Sequence, residues 1–208
     1  MADSLLDLGT LSTIFDIKPN WITAPQPSFS LSREALRFNL GVVSIRPLTT
    51  DNARSIEYLF TNLSKENEFD LLTFFCQRYG RLKRFWLPVY YQEFTLKEDI
   101  DEGDTIFTPL DTGFNLIYKE RERIYIELKD GSRITRKITG YSEVSFTVLT
   151  AFDRDIKTTD IRLMGFLLLA RFDQDEIDMK YISASISECS IRFLELPKEY
   201  LAIEEELG

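Results

Sequence analysis

The stretch from Ser64 to Pro88, SKENEFDLLTFFCQRYGRLKRFWLP, contains the clearest secondary-structure signal in the chain. Ser64 is a favourable helix N-cap, and the glutamates of the next turn interact favourably with the positive end of a helix dipole. Apolar side chains then recur three and four residues apart, at Phe69, Leu72, Phe75, Cys76 and Tyr79. This period predicts a helix over about residues 65–79 that buries the face carrying them.

The residues that follow indicate how this helix ends. Gly80 stands where a left-handed C-cap is favoured, and Arg78 places positive charge near the negative end of the dipole. The next segment, Leu82–Pro88, has the composition of a strand. We therefore expect Phe75, Arg78, Gly80 and Pro88 to have structural roles.

Strands dominate the rest of the chain and indicate the fold class. Short β-prone runs occupy residues 35–48 and 54–61, and longer runs extend from Ile161 to Phe172 and from Ser187 to Leu196. One helix among roughly ten strands predicts a mainly β protein, a β-sandwich with one packed α-helix.

A small inserted β module is predicted between residues 89 and 157. Turn residues separate its strand-length runs, which are 94–96, 105–107, 123–128, 133–138 and 145–149. Asp130-Gly131 is a hairpin signal between two of these runs. A three-residue loop with Gly131 left-handed keeps Ile126 and Ile134 on one face, and we favour this bulged hairpin.

These elements divide the chain into four predicted parts. Residues 1–30, with three prolines and no sustained period, form an extended N-terminal arm. Residues 31–88 together with 158–197 form the β-sandwich core with its helix, residues 89–157 form the insertion, and residues 198–208 form an acidic tail. The apolar side chains of the arm, Trp21 among them, are buried either on their own domain or on a neighbouring subunit.

The composition excludes several classes of site. The 208 residues include 34 acidic and 25 basic side chains, a net charge of -9 and no histidine. Histidine-based triads and histidine metal ligation are therefore excluded, and two cysteines cannot supply a four-thiolate site. We predict no catalytic residue, no metal and no cofactor. Cys76 and Cys189 lie in apolar contexts and are predicted to be reduced core residues.

Export and membrane insertion are not indicated by any segment. Asp3 and Asp7 precede the first basic residue, Lys18, whereas a signal peptide begins with basic residues. The longest apolar run, from Leu163 to Ala170, is far shorter than the roughly 20 residues of a membrane span. The expectation is a protein made in a cytoplasm and not inserted in a membrane.

Three charged clusters each have a functional and a structural interpretation. The run Asp173–Asp178 lacks calcium-loop spacing and is typical of a solvated turn. The carboxylates from Glu93 to Asp104 are compatible with the acid pair of a glycoside hydrolase, or with an ordinary charged loop. The basic residues of segment 78–84 are interleaved with Tyr79, Phe85 and Trp86, as in single-stranded nucleic-acid platforms. The net negative charge of the protein argues against that function, and helix capping explains two of the basic residues.

Aromatic side chains supply the candidate protein-interface residues, which are Trp21, Trp86, Tyr90 and Tyr91. An exposed strip of the last three would hold a partner protein or stack on a sugar ring. Burial of Trp86 in the core is the structural alternative.

The block Phe69–Pro88 resembles the tail-tip proteins of long-tailed bacteriophages and of gene-transfer-agent-like particles. The matching positions are Leu72, Phe74, Phe75, Arg78, Gly80, Phe85, Trp86 and Pro88. The segments 170–177 and 193–197 are similar to the closing strands of the same proteins. Within this family the chain looks like the distal tail protein.

The resemblance implies a non-enzymatic virion protein, synthesised in the host cytoplasm, that forms a ring. In that family the ring is usually a hexamer, and it joins the last tail-tube ring to the baseplate hub. The implied partners are further copies of the chain, the tail-tube protein and the hub protein, with DNA passing only transiently through the lumen. Part of the negative charge is expected to face that lumen and to keep DNA from adhering.

Other functions remain open from sequence alone. One is another tail-tube or hub component of the virion with the same sandwich. A second is a carbohydrate-binding β module that uses Trp86, Tyr90 and Tyr91, and a third is a carboxylate-pair hydrolase. Ring assembly, glycan binding and glycan turnover separate these functions.

Overall fold

The structure is a computed structural model that describes residues 14–19, 25–30, 33–37, 43–47, 53–110 and 121–196. The strands are β1 (Gln26–Ser30), β2 (Arg33–Arg37), β3 (Val43–Pro47), β4 (Ala53–Ser64), β5 (Phe85–Pro88), β6 (Ile106–Phe107), β7 (Arg123–Leu128), β8 (Arg133–Tyr141), β9 (Phe146–Val148), β10 (Ile161–Phe172), β11 (Lys180–Tyr181) and β12 (Ile186–Glu195). The α-helix is α1 (Lys65–Arg78), and a short 3-10 helix spans Thr158–Asp160. The mainly β fold class with one α-helix is confirmed.

The described residues belong to two compact units. The first comprises residues 14–18 and the described residues of Phe85–Leu169, and the second comprises the described residues of Pro19–Arg84 together with 170–196. The two units alternate along the chain and change after residues 18, 84 and 169, whereas the sequence predicts an insertion that begins after residue 88 and ends after residue 157. The difference arises because β5 pairs with β10, and residues 161–166 of β10 pair with β7.

In the first unit the strand order is β10-β7-β8-β9-β6, and all of these pairs are antiparallel. The predicted bulged hairpin is confirmed, because Ile126 pairs with Ile134 and the Leu128 amide donates to the Ser132 carbonyl at 2.9 Å. Gly131 has a φ of 86°, the left-handed conformation that the three-residue loop requires. The predicted strand at 94–96 is not formed, since Leu96 makes only an isolated bridge to Pro109.

A phenylalanine cluster forms the core of the first unit. The Phe94 ring lies 5.0 Å from that of Phe166 and 5.8 Å from that of Phe146, measured between centroids. Phe107 stacks on Phe146 at 5.1 Å. Edge-on and tilted contacts of this kind add to the stabilisation from apolar burial. The large number of phenylalanines in the chain is thus used in part to fill one β unit.

The described part of the N-terminal arm packs against its own chain. Phe15 is fully buried, its amide donates to the Trp86 carbonyl at 2.8 Å, and Ile14 forms a parallel bridge with Trp86. The Lys18 ammonium lies 2.8 Å from the buried carboxylate of Glu127. These residues therefore pack in cis, and the arm's residues 1–13 and 20–24 lie outside the described part of the chain.

In the second unit the order is β1-β4-β12, with residues 170–172 of β10 and strand β11 also pairing with β12. Residues 26–30, expected to belong to an irregular arm, form β1 and pair with β4. Residues 35–48, expected to form one run, contribute to two strands, β2 and β3, that pair with each other. Strand β4 leads directly into α1.

Candidate functional site

Helix α1 is capped at both ends as the sequence predicts. The Ser64 hydroxyl accepts a hydrogen bond from the Asn67 amide at 3.3 Å, which satisfies one of the unpaired donors of the first turn. Tyr79 and Gly80 are both left-handed, with φ of 53° and 58°, and their amides donate to the carbonyls of Cys76 and Phe75. The left-handed conformation predicted for Gly80 is confirmed, and Tyr79 shares it.

The buried face of α1 overlaps only in part with the face that the apolar period predicts. Glu68 and Leu71 are the buried residues of the helix. Phe74 and Phe75 are half-buried, and their rings lie 6.1 Å and 4.9 Å from the ring of Phe172 in β10. Leu71 and Phe75, four residues apart, therefore define the face that packs on the sheet.

The opposite flank of α1 carries residues that were predicted to be buried. Phe69, Cys76 and Tyr79 are exposed, so the prediction of their burial is wrong, as is the prediction of Cys76 as a core residue. Cys189 is buried as predicted, and burial, followed by the charge of Glu68, raises the pKa of its thiol to about 12. The two thiols, both reduced, are therefore in opposite environments.

The hydrogen bonds of the Glu68 carboxylate explain why the face of α1 that carries Glu68 and Leu71 is the buried one. It accepts hydrogen bonds from the Ser187 hydroxyl at 2.8 Å, the Tyr181 hydroxyl at 3.0 Å and the Lys65 ammonium at 3.1 Å. The Ser187 bond, followed by that of Lys65, holds the pKa of Glu68 below its ordinary value. A buried charge needs partners of this kind, so the helix is oriented where β11 and β12 provide them.

We expect the variant Glu68→Gln to have a smaller loss of stability in acid than the unmodified protein. Because the folded pKa of Glu68 is lowered, its contribution is present above the unfolded value of 4.5 and is lost as the pH falls through the folded value. Urea unfolding at pH 7 and at roughly pH 3 measures this, with Glu66→Gln, on the exposed side of the same turn, as the control. The same difference in unfolding free energy between Glu68→Gln and the unmodified protein at both pH values would contradict the lowered pKa of Glu68.

Other residues given structural roles are also placed by tertiary contacts. The Arg78 guanidinium lies 4.9 Å from the centroid of the Phe74 ring, and desolvation by burial lowers the pKa of Arg78. Pro88 is buried at the end of β5, whose four residues are all buried. These positions belong to the framework of the fold.

The predicted aromatic interface strip does not exist as an exposed surface. Trp86 is 6% exposed and Tyr90 is 2% exposed, Tyr91 is half-buried, and Trp21 lies outside the described residues. The Arg123 guanidinium lies 5.1 Å from the centroid of the Trp86 ring. The Tyr90 hydroxyl donates to the Phe15 carbonyl at 2.6 Å. The structural alternative is correct for Trp86, because the N-terminal segment covers β5.

The acidic run 173–178 and the basic residues after α1 contact each other. The Arg81 amide donates to the Asp175 carboxylate at 3.1 Å, and the Arg81 guanidinium donates to the Asp173 carbonyl at 2.8 Å. The Lys83 ammonium lies 4.7 Å from the centroid of the Tyr79 ring. These side chains hold the exit of α1 in place.

The carboxylates between Glu93 and Asp104 accept hydrogen bonds from backbone amides. Glu93 accepts from the Phe166 amide at 2.7 Å, and Asp99 accepts from the Thr158 amide at 2.7 Å. Asp104 accepts from the Asp101 amide at 3.1 Å. The Thr158 bond lowers the pKa of Asp99. These hydrogen bonds satisfy backbone donors and stabilise the connection that follows β5 in the first unit.

Sequence reasoning missed a set of large apolar side chains that the fold leaves in solvent. In the second unit they are Phe69, Tyr79, Leu82, Tyr181 and Ile182, and in the first unit they are Ile106, Leu110, Val144 and Leu149. Exposed apolar patches are typical of interaction surfaces. Of the first group, Phe69 and Tyr79 belong to the apolar period of the predicted helix, which indicates burial and so conceals their exposure.

Comparison with known proteins identifies no relative, since neither a family model nor a curated protein matches the chain.

Within residues 14–110 and 121–196, apart from the undescribed gaps, no group of three or more Cys, Asp or Glu side chains is placed to hold a metal ion. In the same part of the chain, no helix is long and apolar enough to cross a membrane.

Proposed function

We propose that this chain is a structural subunit of a bacteriophage tail tip, forming a ring that joins the tail tube to the baseplate hub. The observation that carries the proposal is the block Phe69–Pro88. It folds as a capped helix followed, after a left-handed exit, by a buried strand. Its matching positions have framework roles, with Phe75 on the sheet, Gly80 at the exit and Phe85, Trp86 and Pro88 buried.

The surface of the protein supports assembly into a larger particle. Both units expose large apolar side chains, such as Leu82 in the second and Leu149 in the first. Strands β1 and β6 each pair with a single neighbour among the described strands. Unpaired strand edges and exposed apolar residues promote association, and a subunit that is buried in a ring uses both.

The net charge of -9 is consistent with a ring that surrounds a channel for DNA. Negative charge around a lumen repels the phosphate backbone, so DNA passes without adhering. The carbohydrate-binding alternative loses its basis, because Trp86 and Tyr90 are covered by their own chain.

Imaging and mass measurement of the purified full chain test this proposal. We expect rings of uniform symmetry in electron micrographs and a matching multiple of 24.3 kDa in native mass measurement. Extended tubes of stacked rings would favour the tail-tube alternative. A strictly monomeric chain at high concentration, both alone and when mixed with tail-tube and hub proteins, would contradict the proposal.

A further inference from the structure

Residues 14–18, which we call the latch, contact the first unit in the manner of a bound peptide. The side chain of Phe15 is fully buried. The Phe15 amide donates to the Trp86 carbonyl at 2.8 Å, and the Phe15 carbonyl accepts from the Tyr90 hydroxyl at 2.6 Å. The parallel bridge between Ile14 and Trp86 is isolated and lies outside the named strands. Extended peptides bind folded domains through such backbone hydrogen bonds beside a buried side chain.

Two charged side chains of the latch pair with one face of the β7–β8 hairpin. The Asp16 carboxylate lies 2.5 Å from the Arg133 guanidinium, and the Lys18 ammonium lies 2.8 Å from the Glu127 carboxylate. Glu127 and Arg133 are directly opposite each other in the β7–β8 register, so both side chains project from the same face. The latch therefore places an acidic group on the basic member of this pair and a basic group on the acidic member.

The groups beneath the latch have further partners that do not belong to it. Glu127 is only 2% exposed, but its carboxylate also lies 3.1 Å from the Arg162 guanidinium and 3.4 Å from the Tyr125 hydroxyl. Loss of its last cation would leave a buried carboxylate uncompensated, whereas loss of the latch leaves Glu127 paired with Arg162. The Trp86 ring likewise contacts the Arg123 guanidinium. Departure of the latch therefore leaves no buried charge without a partner at this surface.

We propose that the latch is displaceable and that the surface it occupies is a binding slot for the same segment of a second copy of this chain. The slot consists of Trp86, Tyr90, Tyr125, Glu127 and Arg133. It selects an extended segment with an aromatic residue, an acidic residue directly after it and a lysine two residues further on, as in Phe15, Asp16 and Lys18. The latch of a second copy reproduces in trans every contact that the chain makes in cis, and exchange of an identical element is therefore a low-cost route to a dimer.

The covalent connection decides which latch occupies the slot. A segment of the same chain is present at an effective concentration in the millimolar range, so the chain's own latch occupies the slot in dilute solution. Exchange requires copies held together at a comparable local concentration, as in an oligomer. The slot does not depend on the proposed ring, and only exchange within a ring rests on that function.

Binding of a synthetic peptide of residues 14–19 tests the slot. Phe15→Ala in the full chain removes the buried side chain of the latch, so this variant should bind the peptide about tenfold more tightly than the unmodified chain, whose own latch competes. The peptide carrying Phe15→Ala should not bind. Fluorescence anisotropy of the labelled peptide measures binding, and circular dichroism measures the folding of the variant. Lack of saturable binding by the folded variant would overturn the proposal.

A second full-length variant weakens the latch without emptying a buried site. Asp16→Arg places like charges together beside Arg133, at a side chain that is 56% exposed, so the fold should be retained. This variant should also bind the unmodified peptide more tightly than the unmodified chain does. Equal binding by the two chains would contradict a latch that competes for the slot.

Charge exchange tests the register of the peptide in the slot. The peptide carrying Asp16→Arg should bind Phe15→Ala/Arg133→Asp about fivefold more tightly than Phe15→Ala, as expected of one partly exposed ion pair. The unmodified peptide should show the opposite preference, which a general loss of stability does not produce. The same order of affinity for both peptides would overturn the pairing of Asp16 with Arg133 in the slot.

A mixture of two full-length variants tests the second copy. Asp16→Arg and Arg133→Asp each place like charges between their own latch and slot, but the latch of either chain complements the slot of the other. Native mass measurement should show mixed dimers in excess of either homodimer by about fivefold or more. As a control, Asp101→Arg, at an exposed acidic residue of the same unit, should give no such excess when mixed with Arg133→Asp. Peptide binding without mixed dimers would overturn exchange between copies.

These measurements separate the slot from the proposed function. Rings formed by a chain whose latch variants bind no peptide would overturn the slot and leave the tail-tip proposal. Peptide binding and mixed dimers in a chain that forms no ring would do the reverse.

Discussion

Replacement of Phe172 by alanine is expected to lower the free energy of unfolding by about 3–5 kcal/mol, the usual cost of removing a buried phenylalanine. Phe172 is completely buried, and its ring lies 4.9 Å from that of Phe75 and 5.4 Å from that of Phe193. The side chain therefore fills the space between Phe75 of α1 and Phe193 of β12, and its removal leaves a cavity between them. Among the ring contacts of the described residues, Phe172 is the ring that contacts both Phe75 and Phe193. We therefore expect its removal to weaken the packing of α1 on the sheet.

Urea unfolding followed by circular dichroism measures this effect. Phe69→Ala is the matched control, because it removes the same side chain from the exposed flank of the helix that Phe172 supports. We expect that control to change the stability by no more than about 0.5 kcal/mol. Similar losses for the two variants would contradict the orientation of α1 described above.

Replacement of Gly80 by valine is expected to cost about 3 kcal/mol or more, from backbone strain and from a steric clash. Gly80 has a φ of 58°, which β-branched residues rarely adopt. A Cβ at this position would lie 2.8 Å from Oδ1 of Asp175 and 3.2 Å from its Cα. The Asp175 carboxylate cannot move away freely, because it accepts a hydrogen bond from the Arg81 amide at 3.1 Å.

Gly131→Val separates the two causes. Gly131 also has a positive φ, 86°, but a Cβ there meets no atom within 4 Å. We expect it to show the conformational cost alone, about 1–2 kcal/mol, and to melt well above Gly80→Val. Equal melting temperatures would show that the contact with Asp175 has no energetic weight. Unchanged melting of Gly80→Val would contradict the cap itself.

The two faces of α1 show where sequence reasoning reaches its limit. Phe69 and Phe75 both belong to apolar helical periods, and a period alone does not say which one meets the sheet. The choice follows from Glu68, whose carboxylate requires the hydroxyls of Tyr181 and Ser187. Those residues are more than 100 positions away, so no local pattern around the helix contains them.

Trp86 illustrates the same limit in the first unit. Its neighbours in sequence are compatible with an exposed aromatic strip or with a buried strand, and both interpretations were open. Burial results from the segment around Phe15, whose amide and carbonyl bond to the Trp86 carbonyl and the Tyr90 hydroxyl. A segment without periodicity gives no sign of its partner before the chain folds.

Local chemistry in the sequence was sufficient for the helix limits, the left-handed Gly80, the course of β10 and the loop of the β7–β8 hairpin. The helix limits, the Gly80 conformation and the hairpin loop depend on hydrogen bonds and backbone preferences within a few neighbouring residues. The course of β10 follows from its continuous apolar run. Tertiary structure alone decided which flank of α1 faces solvent, that Trp86 is covered and that Cys76 is accessible. Burial depends on surfaces brought together from distant parts of the chain, so no local pattern around these residues specifies it.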